Sequence, residues 1–418
     1  MDYTNLIRSV RTSTHRFKQF AHAYRWTLLG LLVVAVGVTS MATPIPTWIL
    51  AAQASLSVLL VAYEVTGNIN EARKTQFFKR KNDAFRDVIS TLPEDHYRAL
   101  RINADTFIIY TRLNKFLKLN DIPVVAATRS YTLPPELQRH GKRFLRHILG
   151  NPALFGRRFD DPCLGWNTDM EDPELTEPIE VVFGSYFDVT QSDELAMYDT
   201  EVDGRTVSEL GRSLFVKRDG RLRGFRTSWL FNVVGASTIA ITDDGQLVLT
   251  EQTAANAGSH NLFAPSGSGA AGPQDLKRRD PTLSQLAEAA STRELREEVN
   301  LGNADIADNG THLLGFGRWL QRAARGELLC VTFLDIDSDT VNRRPISASE
   351  RIYIRKAKCV RFAEPIANWD PSDPERMLPT EQRTRMSVPL GAALSLLAEE
   401  VLTPDSDVRR ELIARGVI

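Results

Sequence analysis

Apolar and polar positions divide the chain into stretches of different character. Residues 26–63 contain no Asp, Glu, Lys, Arg or His, and Leu, Val, Ala and Ile dominate them. A helix rising about 1.5 Å per residue needs roughly 20 apolar residues to cross the hydrocarbon core of a bilayer. The run breaks at Pro44-Ile45-Pro46, so it predicts two membrane spans, 26–43 and 47–63, joined by a proline turn. Trp26, Trp48 and Tyr63 fall where interfacial aromatics hold span ends. Arg8, Arg11, Arg16, Lys18 and Arg25 precede the hairpin, and Arg73, Lys74, Lys79, Arg80 and Lys81 follow it, which predicts both termini on the cytoplasmic side of an inner membrane. Two other readings of the run stay open. One is a cleaved signal peptide ending near Ser40-Met41-Ala42; the other is a buried hairpin of a water-soluble fold, because spans of about 17 residues are short for a crossing.

Past Tyr63 the period changes. Residues 71–92 read as a basic amphipathic helix carrying Phe77, Phe78, Phe85, Val88 and Ile89, and after Pro93 a helical pattern resumes over 94–119. Residues 134–158 are rich in base, with Arg139, His140, Lys142, Arg143, Arg146, His147, Arg157 and Arg158. A solvated helix face and a phosphate or anionic-lipid site both account for them. Acidic and proline-containing residues over 160–178 mark a boundary, after which strand patterns prevail at 179–183, 238–241, 247–250 and 328–334. Asp243-Asp244-Gly245 predicts a hairpin turn between the second and third of these. Helices are expected over Leu283–Val299 and 389–401. The organisation predicted is a basic N-terminus (1–25), the hairpin (26–66), a helical basic linker (67–177) and a mixed α/β domain (178–418).

Charge narrows the partners. With 51 basic against 52 acidic residues the formal net charge is -1, so the uniform positive field of a protein that binds nucleic-acid duplexes is absent. Cys163, Cys330 and Cys359 are odd in number, far apart and not at zinc spacing with histidine, which predicts free thiols in a reducing compartment.

The strongest candidate chemistry is Arg293-Glu294-Leu295-Arg296-Glu297-Glu298 within the helix at Leu283–Val299. Residues three and four apart share a helix face, so Glu294, Glu297 and Glu298 converge. Three like charges repel, and a hard divalent cation such as Mg²⁺ or Mn²⁺ relieves that repulsion. An exposed acidic face balanced by the neighbouring arginines is the competing reading.

These residues, followed by Leu301, resemble the core of the Nudix box, whose pattern is Gly-x5-Glu-x7-Arg-Glu-apolar-x-Glu-Glu-x-Gly-apolar. Residues 261–269, Asn-Leu-Phe-Ala-Pro-Ser-Gly-Ser-Gly, resemble the strand and glycine loop that precede it in that family. The resemblance covers roughly 233–402 and implies a Nudix-like αβα sandwich. It departs from the pattern in three places. If Gly269 is the box glycine, about ten extra residues precede Arg293; without an insertion, Arg279 and Gln285 fall at the Gly and first Glu positions; and Asn300 replaces the later Gly. As the resemblance implies, Glu297 and Glu298 bind the metal, Glu294 is a ligand or general base, and Arg293 orients it. Glu327, Asp335, Asp337 and Glu350 are candidates for a further carboxylate.

A membrane hairpin joined to a Nudix-like domain also resembles one class of effector in bacterial cyclic-oligonucleotide anti-phage signalling (CBASS). That resemblance implies a homo-oligomer at the lipid bilayer whose cytosolic domain senses a cyclic nucleotide and whose hairpin disrupts the inner membrane, causing abortive infection. A membrane-tethered, Mg²⁺-dependent hydrolase of a nucleoside diphosphate derivative and a non-enzymatic membrane adaptor are the alternatives.

Overall fold

The computed structural model describes residues 75–80, 85–150, 160–171, 175–254, 259–276 and 280–418. The hairpin expected over 26–63 lies outside them, and among the described residues no helix is long and apolar enough to cross a membrane. The expected fold class is therefore corrected to a mixed α/β protein with several sheets, and the placement as a multi-pass inner-membrane protein is withdrawn with the hairpin.

The chain divides into two compact units. The smaller holds strands β1 (Thr75–Lys79), β7 (Tyr198–Val202) and β8 (Arg205–Thr206) in the sheet order β1-β7-β8. This corrects the helix expected over 71–92. Phe77 and Phe78 lie in a strand, among the described residues of this stretch only Arg86–Ile89 forms a helical turn, and Phe85 before it sits at φ 45°, in the left-handed region that no right-handed helix passes through.

The larger unit is built on one mixed sheet. Its strands are β2 (Arg98–Ile102), β3 (Asp105–Ile109), β9 (Gly235–Ile241), β10 (Leu247–Gln252), β11 (Phe263–Ala264), β12 (Gly267–Ala270), β13 (Ile306–Trp319), β14 (Arg325–Leu334) and β15 (Ile354–Val360). They run in the order β11-β10-β9-β14-β13-β3-β2, with β12 on β9 and β15 on β10. β9 and β14 pair in parallel; β9 and β10 pair antiparallel across the Asp243-Asp244-Gly245 turn, as expected. The longer helices are α1 (Thr111–Leu119), α2 (Pro135–Gly150), α3 (Leu283–Val299), α4 (Val388–Leu402) and α5 (Asp407–Ala414).

Side chains alternate across a strand, and the sheet uses both faces. Ile239, Ile241, Leu247, Leu249, Val331 and Phe333 pack with Leu390, Leu394 and Leu397 of α4. Ala240, Val248, Leu334 and Cys359 pack with Leu295 and Val299 of α3. The sheet is thus sandwiched between α3 and α4.

Strands β2 and β3 correct the helical reading of 94–119. Leu100, Ile102, Phe107 and Ile109 recur with period two and enter the α4-side core. Asn103 takes a left-handed turn (φ 52°) between the two strands, and only α1 is helical. A second sheet, ordered β4 (Val124–Ala126), β6 (Ile179–Ser185), β5 (Pro162–Trp166), lies beside the segment leading into α3. Leu164 N–H donates to Ala271 O (2.8 Å), Val124 N–H to Pro281 O (2.7 Å) and Leu283 N–H to Ile122 O (2.8 Å). Helix α2 buries Leu137, Phe144, Leu145 and Ile148 and exposes Arg139, Lys142, Arg146 and His147, while Arg157 and Arg158 lie outside the described residues. All three cysteines are buried, and none is in a disulfide.

Candidate functional site

Helix α3 starts at a reciprocal cap. Thr282 Oγ1 accepts from Gln285 N (3.4 Å), and Gln285 Oε1 accepts from Thr282 N (3.3 Å). Gln285 therefore caps the helix, which accounts for its place at the first Glu position of the ungapped pattern. The helix ends at Asn300, at φ 61° and ψ 47°, the left-handed conformation that Asn tolerates and Gly favours.

The three glutamates share a flank of α3 at different depths. Glu298 is 6% exposed, and the side chains of Glu294 and Glu297 are 13% and 39% exposed. Ser268 N–H of the glycine loop donates to Glu298 Oε1 (3.3 Å), whereas Glu298 Oε2 is buried without a hydrogen-bond partner. Burial pushes the Glu298 carboxyl well above the usual range, and Glu294, Glu350 and Glu297 reinforce the shift. Glu350 thus stands out among the four candidates for a further carboxylate. Asp335 is 3.7 Å from Arg415 Nη2, and Asp337 Oδ1 caps a short helix by accepting from Thr340 N (2.8 Å).

The loop of β12 is pressed against this helix. A Cβ at Gly269 would overlap the Glu294 carboxylate and push it aside, and one at Gly267 would overlap the Leu295 backbone N. Arg293 ties loop to helix. Its Nε and Nη2 donate to Asp275 (3.0 and 2.9 Å), Nη2 also to Ala270 O (2.9 Å), and Nη1 to Glu294 Oε1 (2.7 Å). Burial alone would lower the Arg293 pKa; the charges of Glu294 and Asp275 outweigh it and hold the guanidinium ionised. Sequence reasoning missed Asp275, although the signal is present. Gly269-x5-Asp275 has the Gly-x5-acid spacing of the pattern that the sequence resembles, with Asp for Glu, and residues 276–292 separate Asp275 from Arg293.

Glu327, another of the four candidates, lies on β14, 4% exposed, accepts from Ser237 Oγ (2.7 Å) and pairs with Arg325 Nε (3.3 Å). Burial raises its pKa, while Arg325 and Ser237 oppose the rise.

No family model and no curated protein sequence matches the chain. Among solved structures, the Deinococcus radiodurans protein DR0079 is similar over 37% of this chain and 85% of its own, with 18% identity and a TM-score of 0.23. At that score the likeness supports no argument about fold or activity.

Carboxylate oxygens suit Mg²⁺ or Mn²⁺, and a buried, unpartnered oxygen among like charges suits a cation. Among the described residues, no three His, Cys, Asp or Glu side chains already converge at metal-holding distance. A cation at Glu298 therefore requires side-chain rotation of its neighbours, and Glu297, the most exposed of the three glutamates on α3, has the most room to move.

Proposed function

We propose that the α3 carboxylates form the site of a divalent-cation-dependent hydrolase of diphosphate bonds, resembling the Nudix family and acting on a nucleoside diphosphate derivative. The buried, unpartnered Oε2 of Glu298 among Glu294, Glu297 and Glu350 carries this reading. Glu297 and Glu298 would hold the ion with Glu350. When bound, the ion polarises a bridging phosphate and lowers the pKa of water. Arg293, fixed by Asp275, holds the Glu294 carboxylate in place, so that Glu294 can serve as ligand or general base. The loop over 267–270 closes one side of the cluster and limits its access to water.

The effector reading that needs a membrane hairpin is not carried forward. A sensor that binds a nucleotide without cleaving it is the second reading, favoured by the separation of the carboxylates. One assay separates the two. The full chain is incubated with Mg²⁺ or Mn²⁺ and a panel of nucleoside diphosphate derivatives and cyclic nucleotides, following both binding and phosphate-bond cleavage. We expect metal-dependent cleavage that falls on the order of 100-fold in Glu298→Gln, a loss of about 2.7 kcal/mol of charge stabilisation. Saturable binding with no cleavage would replace the hydrolase reading with the sensor.

A further inference from the structure

The glycine loop is held from two sides by two arginines, only one of which belongs to α3. Arg293 donates to Ala270 O, and Arg325 Nη2, from β14, donates to the preceding carbonyl, Gly269 O (2.9 Å). Arg325 reaches this carbonyl over Gly235, where a Cβ would overlap the Glu327 carboxylate and lie 2.8 Å from Arg325 Nε. Glu327 fixes the other side of the guanidinium at 3.3 Å and is itself fixed by Ser237. The charge of Arg325 also reaches Asp193, a buried residue whose carboxylate accepts from Asn232 N and Val233 N (3.0 Å each) just before β9.

We propose that Arg325 is a positioning residue of the carboxylate site, holding the Gly269 carbonyl so that the loop stays seated over Glu294 and its Ser268 N–H stays on Glu298. Three features support this assignment. The arginine donates to a backbone atom of the loop, Gly269 O, and is ion-paired on its other side with the buried Glu327. Its planar guanidinium puts Nη2 on Gly269 O while Nε faces the Glu327 carboxylate as an ion pair, an arrangement that a lysine cannot reproduce. The loop peptide it holds lies directly against Glu294, so a displaced Gly269 changes the position of a carboxylate that Arg325 does not itself touch. The proposal rests on the hydrolase reading for its Mn²⁺ and cleavage readouts, and not for its loop-exchange readout.

The test uses the full chain with Arg325→Gln, Arg325→Lys and Arg325→Ala, and reads amide hydrogen exchange of the 267–272 segment, Mn²⁺ affinity and cleavage. In Arg325→Gln, exchange of the loop amides should rise about tenfold while α4 and β10 keep their protection. Mn²⁺ affinity should fall about tenfold, on the scale of losing a supporting contact behind a metal ligand. Arg325→Lys should not restore either quantity, and guanidinium added below denaturing concentration should restore Mn²⁺ affinity to Arg325→Ala. Unchanged loop exchange and Mn²⁺ affinity in folded Arg325→Gln would overturn the assignment. So would exchange that rises over the whole sheet, since it would mark a scaffold role. A wild-type protein that neither binds Mn²⁺ nor cleaves defeats the hydrolase reading instead, and the loop exchange still decides the role of Arg325.

Discussion

Glu298 shows what burial does to one of three carboxylates on a helix flank. Spacing alone puts Glu294, Glu297 and Glu298 together, but it cannot distinguish a solvated acid from one at 6% exposure with an unpartnered oxygen. The consequence is a pH dependence of definite sign. The folded pKa of Glu298 lies above its unfolded value of about 4.3. Its contribution to stability is therefore fully present below that value and is lost as pH rises through the raised folded pKa. Without divalent cation, the melting temperature should fall as pH rises above about 5, and Glu298→Gln should flatten that fall, because its amide never ionises. Added Mg²⁺ should restore the wild type at high pH, since cation binding favours the ionised form and releases a proton. Thermal melts from mildly acid to alkaline pH, with and without Mg²⁺, read all three. Parallel curves for wild type and Glu298→Gln would remove Glu298 as the titrating group.

At the scale of elements, α3 and the loop of β12 act as one piece joined by Arg293. Asp275, 3% exposed at its side chain, makes a two-pronged pair with an arginine that is 20% exposed. Removing one partner of a buried pair leaves the other charge uncompensated, at a cost of about 3 kcal/mol. Asp275→Ala should lower unfolding free energy by about that amount in urea titrations and loosen Glu294. The conservative Asp275→Glu change should retain most of the stability, because it keeps the acid and lengthens it by one methylene. A loss under about 0.5 kcal/mol in Asp275→Ala would show the pair to be a surface contact. The helix itself was legible in sequence, Leu283–Val299, from its helical run of Ala, Leu and Glu; the Thr282–Gln285 cap and the left-handed Asn300 that bound it are structural findings. The pairing of Asp275 with Arg293 was not, because spacing left the gapped and ungapped alignments open and does not say which acid meets an arginine 18 residues on. Here Pro281–Leu283 is held to Ile122–Val124 by backbone hydrogen bonds, so the segment between Asp275 and Arg293 is spanned while both acid and arginine keep their places.

At the scale of the whole molecule, the core of the larger unit draws on chain far from α3, and this is where sequence reading failed most. The strand patterns at 238–241, 247–250 and 328–334 were legible because each is a short apolar run bounded by turn residues. The hairpin over 98–109 was not, because its basic and polar residues fit a helical period nearly as well, and only pairing of β3 with β13 decides the matter. Once paired, Leu100, Ile102, Phe107 and Ile109 belong to the same core as α4, and Asn114 of α1 donates to Phe316 O (3.1 Å) and accepts from Phe316 N (2.8 Å). Each of those four apolar side chains contributes roughly 1.5–3 kcal/mol on burial, so together they match a large part of the roughly 5–15 kcal/mol by which domains are stable. A fragment of residues 178–418, which keeps every α3 carboxylate, should therefore not fold cooperatively, whereas a fragment of residues 80–418 should. The measurement is the sharpness of urea unfolding and the dispersion of amide resonances for each. A 178–418 fragment that unfolds in one steep transition with dispersed resonances would show that β2, β3 and α1 decorate the sheet without completing its core.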